Sequence, residues 1–125
     1  MIFGIGHDIV ENSRISTLLD RYGQQFITKV LSESEQNIFN RRTNKVNYLA
    51  KRWCAKEAFA KACSTGLLNP ALLTNISILN DDLGKPVFQF SNNLQQWLKE
   101  RHINQYHISL SDERNLSSAF VILEY

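Results

Sequence analysis

Asn44-Lys45-Val46-Asn47-Tyr48-Leu49-Ala50-Lys51-Arg52-Trp53-Cys54-Ala55-Lys56-Glu57-Ala58-Phe59-Ala60-Lys61-Ala62-Cys63-Ser64 holds no glycine or proline and repeats its apolar residues at helical spacing. It reads as one long helix, with Gly66 as its natural stop. At about 100° per residue, Val46, Leu49, Ala50, Trp53 and Ala60 share one side, with Glu57 near the middle of that apolar stripe. An inward carboxylate is costly unless something positive compensates it. Two compensators fit: Lys61 one turn on, as a plain ion pair, or a bound cation.

Working outward, Ile2 to Val10 is rich in β-branched and aromatic residues and reads as a strand. Asp8 is its anomaly, an acid between hydrophobic residues on the face shared with Gly4 and Gly6. Glycines in a strand mark close approach, so the long helix can lie there and bring Glu57 beside Asp8. Alternatively, Asp8 caps the helix that follows. Two acids that meet repel unless they share a cation, and oxygen ligands with room for water and phosphate suit magnesium.

Ile15, Leu18 and Leu19 mark an amphipathic helix after the strand, and Ser32-Glu33-Ser34-Glu35 is a capping box opening a short helix to about Phe39. Beyond the long helix come a loop (Leu67 to Leu73), a strand from Ile76 to Leu79, and a turn from Asn80 to Pro86. Val87 to Phe90 is a strand, Asn92 to Arg101 a helix capped by Ser91, and Tyr106 to Leu110 and Ser117 to Leu123 a final strand pair. Helices first and strands last, without regular alternation, predict an α+β fold: a mainly antiparallel sheet packed against the long central helix.

Composition bounds function more loosely. The 125 residues fit a single domain, 1–125, with 43% hydrophobic and 21% charged residues. No basic leader or long apolar span is visible, so the expectation is a cytoplasmic protein. Cys54 and Cys63 fall on opposite faces of the long helix and cannot pair, which fits reduced thiols, and neither has zinc-site spacing. Arg41, Arg42, Lys45, Lys51, Arg52, Lys56 and Lys61 face one acid, Glu57, a local charge of +6. Such a run attracts phosphates or an acidic protein, or is a solvated helix face. Trp53, Phe59, Trp97 and Phe120 have spacings natural for a core, and His102 and His107 suit packing or capping.

Several separated motifs then add a resemblance. Gly4 to Glu11, Leu31 to Glu35, Leu49 to Ala62, Gly66, Asn80 to Pro86 and His107 to Glu113 together resemble the holo-acyl-carrier-protein synthase branch of the phosphopantetheinyl transferases, in family order over nearly the whole chain. The resemblance implies the fold of that family and a homotrimer with active sites at subunit boundaries. It implies magnesium held by Asp8 and Glu57, and Asp8, Glu57 and Lys61 as the catalytic set. Coenzyme A would bind through its pyrophosphate: Lys61 reaching a phosphate, Arg52 and Lys56 the nucleotide end, and Gly66, Lys85 and Pro86 completing the set. Arg14 and Arg21, on the basic first helix, would dock the acidic acyl carrier protein, whose serine receives phosphopantetheine for fatty acid biosynthesis.

Two positions depart from the pattern. His7 stands where many relatives carry threonine or another small or apolar residue, and alternation turns it away from Asp8. Asp112-Glu113 replaces a His-Thr pair that helps bind coenzyme A in some branches. The same acids and basic run also permit a metal-dependent nuclease or phosphatase, or a nucleic-acid-binding helix. Against the latter, the basic face lacks interleaved aromatics and no nucleic-acid motif is present, so no nucleic acid and no membrane is expected as a partner.

Overall fold

The computed structural model describes residues 1–125. The elements run β1 (Ile2–Glu11), α1 (Asn12–Tyr22), α2 (Gln24–Val30), α3 (Glu33–Phe39), α4 (Lys45–Cys63), a 3-10 turn (Leu73–Asn75), β2 (Ile76–Asn80), β3 (Pro86–Phe90), α5 (Asn92–Glu100), β4 (Gln105–Asp112) and β5 (Leu116–Glu124). Every strand pair is antiparallel, as expected for this α+β architecture, but the strands form two sheets: three-stranded β1-β5-β4 and the hairpin β2-β3.

Helix α4 is the axis of the molecule, and its surroundings correct the single-stripe reading. Twelve of its residues are buried, spread around the helix, because β1 and β5 pack on it from one direction and α1, α2, α3 and β2 contact it as well. Four of those buried residues are alanines in the run Ala55 to Ala62, whose small side chains admit close neighbours. Asn44 caps the N-terminus, its Oδ1 accepting from the Asn47 amide at 3.1 Å. The helix ends at Ser64, which adopts the left-handed conformation (φ 62°), two residues before the expected stop at Gly66.

Gly4 and Gly6 do what a bare strand face permits. A Cβ on Gly4 would collide with the backbone carbonyl of Ala62, and one on Gly6 with that of Ala58. Strand β1 therefore touches α4 backbone to backbone, directly alongside Asp8 and Glu57.

The Ser32–Glu35 capping box is present in both directions. At α5, Ser91 occupies the capping position, but its hydroxyl donates to Asn93 Oδ1 and caps no amide, a correction. Helix α2 is not apparent from the sequence, because seven residues with Phe26 and Val30 as the only buried positions carry too short a period. Phe59 is fully enclosed beside Phe88 and Phe90, while Phe120 is 41% exposed and lies on the outer sheet face, not in the core. No helix is long and apolar enough to cross a membrane.

Candidate active site

Asp8, on β1, and Glu57, on α4, belong to one electrostatic site. Glu57 is half-buried, and its carboxyl is held above the usual glutamate range, first by burial and then by the nearby Asp8 charge; Lys61 and Arg14 oppose the rise. Lys61 Nζ lies 3.1 Å from Asp8 Oδ1 and donates to the His7 carbonyl at 2.9 Å. The lysine thus spans to the strand, and the plain pairing of Glu57 with Lys61 within the helix is not what forms. Cys54 lies under the same acids, its thiol pushed up to about 12 by burial and then by Asp8.

Two carboxylates are a small donor set, and no cluster of three or more acids, histidines or cysteines is present to cage a metal. That set fits magnesium, which keeps several waters and is held by one or two carboxylates together with substrate phosphates. His7 faces the opposite way, exposed and tilted against Phe120 across the sheet at 6.4 Å.

A second feature is a cleft of about 550 Å³ beside the first half of α4. Arg42, Lys51, Arg52 and Lys85 line it, with Tyr48 and Pro86, and no acid does. Arg52 is buried, and burial lowers its pKa from the usual arginine value. One of its Nη atoms donates to Ile78 O at 3.2 Å and Asn80 Oδ1 at 3.1 Å, while Nε has no partner. Asn80 in turn donates to Gly84 O, and Asp81 Oδ1 accepts from the Leu83 and Lys85 amides, which fixes the turn that delivers Lys85 and Pro86. Asp112, one of the departures, accepts from Asn47 at 2.8 Å and lies 3.8 Å from Lys51, so it tethers a cleft cation.

Lys56 requires a correction. It is wholly buried, its ammonium bonded to Glu35 Oε1 and to the Val30 carbonyl, and it lines no part of the cleft. Glu35 also accepts from the Ile78 amide at 2.9 Å, so this pair knits α2, α3, α4 and β2 together. The basic run is therefore split between cleft, core and acid site rather than spread over one solvated face. Nothing in the sequence pairs Glu35 with Lys56; the capping box signals only its local role. Arg42 and Lys51 were legible only as positive charge.

Arg52 and Lys61 are nine residues apart on α4, which puts them about 180° apart around the helix. One chain thus carries its cationic cleft and its acid pair on opposite sides of α4. Gly66 (φ 63°) follows the helix end nearest Lys61 and is absent from the cleft. Arg14 and Arg21 are exposed on α1, over the rings of Trp53 and Tyr22, each at 5.9 Å. Both rings line a neighbouring apolar groove of about 830 Å³ with Leu18, Phe26, Leu72 and Leu73.

Residues 4–116 match the family model described as the 4'-phosphopantetheinyl transferase superfamily. The chain is 48% identical over 124 residues to a holo-[acyl-carrier-protein] synthase of Nitrosomonas eutropha, covering 99% of each. Its fold matches a crystal structure of the holo-[acyl-carrier-protein] synthase from Neisseria meningitidis with a TM-score of 0.98 at 45% identity, covering 100% of both chains. A Bacillus anthracis holo-(acyl-carrier-protein) synthase in complex with CoA (3',5'-ADP) matches with a TM-score of 0.84 at 33% identity, over 98% of this chain and 96% of that one.

Proposed function

This chain belongs to the 4'-phosphopantetheinyl transferase superfamily, and we propose that residues 1–125 form one transferase domain that moves phosphopantetheine from coenzyme A to a serine of apo acyl carrier protein. The serine oxygen attacks the phosphorus joined to pantetheine, the pyrophosphate bond breaks, and adenosine 3',5'-bisphosphate leaves with the bridging oxygen. The observation that carries the reading is the pair of features on α4: an acid-free cationic cleft suited to nucleotide phosphates, and two acids with a lysine suited to the reacting pyrophosphate.

Asp8 and Glu57 would hold magnesium, which would supply charge neutralisation at the pyrophosphate. Lys61, released from Asp8, takes a phosphate oxygen. Arg52, Lys85 and Pro86 receive the nucleotide end, with Arg42 and Lys51 beside them, and Gly66, which follows the end of α4 nearest Lys61, completes the set. Positioning and electrostatics carry most of such a transfer. Arg14 and Arg21 dock the acidic carrier protein, whose apolar residues find the groove next to them.

Because the cleft and the acids of one chain face opposite ways, we assign each active site to two protomers of a homotrimer. The outer face of the three-stranded sheet supports assembly: Ile5, Ile9 and Phe120 are 59%, 57% and 41% exposed there. Subunit mixing tests this. Glu57→Gln and Arg52→Ala, each inactive alone, should regain activity when mixed and reassembled, because some sites then combine intact acids with an intact cleft. If no activity returns although mixed trimers form, the shared-site reading is wrong.

The setting is cytoplasmic fatty acid biosynthesis, in keeping with two free, buried thiols. A nucleic-acid-binding helix is disfavoured, because Arg52 and Lys56 are buried and the basic run forms no continuous stripe. A nuclease would use the acids but gives the cleft no purpose.

A further inference from the structure

Arg42 and Arg52 both enter the cleft, yet neither guanidinium has a carboxylate partner; the ion pairs of the chain involve Lys51, Lys56, Lys61 and His107. What both share is Tyr48. The Arg52 guanidinium lies 4.1 Å from the centre of the Tyr48 ring and that of Arg42 lies 5.4 Å from it. The ring is itself fixed: Tyr48 is buried, and its hydroxyl donates to the Glu35 carbonyl at 3.3 Å.

We propose that Tyr48 is a positioning residue for coenzyme A, its ring holding Arg42 and Arg52 together in the cleft with their N–H groups left for phosphate. A hydrogen-bonding partner that steadies the two cations competes with phosphate for their donors. A carboxylate would steady two like charges but would occupy the donors and repel the incoming phosphate. An aromatic face attracts a guanidinium through its quadrupole and leaves the edge donors free. Arg52 shows the result: one of its Nη atoms makes both of its hydrogen bonds, to Ile78 and Asn80, and the other Nη atom is unengaged. The ring also reduces the cost of holding two cations side by side before the ligand arrives, so the cleft is preorganised.

This inference rests on the reading of the cleft as the coenzyme A site, and the experiment separates the two. Calorimetric titration of coenzyme A into the folded protein is compared for wild type, Tyr48→Leu, Tyr48→Phe and Arg52→Ala, with Tyr48→Met as a second ring-less variant should leucine not fold. Tyr48→Leu should raise the Kd for coenzyme A on the order of tenfold and its KM likewise, with kcat and the KM for carrier protein unchanged. Tyr48→Phe, which keeps the ring, should stay within about threefold of wild type. If Arg52→Ala leaves the Kd unchanged, the cleft reading falls and this inference with it. If Arg52→Ala weakens binding while the folded ring-less variants do not, Tyr48 has no positioning role. If phenylalanine weakens binding as much as leucine, the hydroxyl rather than the ring is responsible, and the proposal is overturned.

Discussion

Gly6 lies against the backbone carbonyl of Ala58, leaving no room for a methyl group between β1 and α4. That contact sets the spacing at which Asp8 and Glu57 face one electrostatic site. Gly6→Ala puts its new carbon against backbone, which no side-chain rotation relieves. It should destabilise the protein by about 3 kcal/mol in urea denaturation and lower activity by displacing Asp8. Wild-type stability in this variant would show that α4 and β1 can separate freely.

Glu57 gives a pH-dependent prediction. Its carboxyl is held above the unfolded-state value by burial and by Asp8. At acid pH, below the ordinary glutamate range, both states are neutral and the group contributes nothing. As pH rises past that range the unfolded chain ionises more readily than the folded one, so stability is lost. In chelator-treated protein Glu57→Gln should therefore melt with wild type at acid pH and above it at pH 7. Magnesium should then raise the wild-type Tm but not that of the variant. A variant that melts lower at pH 7 would contradict the origin given for the shift.

The acid site was largely legible in the sequence, and the cleft was not. A carboxylate on the apolar side of a helix, and another beside strand glycines, are local anomalies that spacing exposes, as Glu57 and Asp8 were. Lys56 looked like its basic neighbours because helical periodicity cannot identify a partner twenty-one positions away; Glu35, which neutralises it, lies on another helix. Asn80 gains its role only when β2 packs across α4, and the Tyr48 ring is fixed only when α3 brings the Glu35 carbonyl to its hydroxyl, which are tertiary facts. The helix exit at about Ser64 is legible in the sequence, but glycine is the usual left-handed residue, and here Ser64 rather than Gly66 caps the helix in that conformation.

Removing one member of the Lys56–Glu35 pair leaves a buried charge uncompensated. Lys56→Met should cost about 3 kcal/mol of stability, and adding Glu35→Gln should recover part of it. Coenzyme A affinity should stay at the wild-type level in the folded Lys56→Met variant, because Lys56 lies outside the cleft. A large rise in Kd with little loss of stability would return Lys56 to the nucleotide site.

Cys54 and Cys63 are buried, and both thiols are pushed up to about 12, chiefly by burial. The native protein should resist thiol-directed reagents at pH 8, and both cysteines should react at the rate of unfolding. Rapid labelling of the folded protein would contradict the packing of α4.

Intact-mass spectrometry of apo acyl carrier protein reads the transfer reaction directly. Incubated with this protein, coenzyme A and magnesium, the carrier should gain the mass of one phosphopantetheine. The gain should disappear with a chelator and with Asp8→Asn or Glu57→Gln. A carrier of unchanged mass in the presence of the folded, assembled wild-type protein would contradict the account.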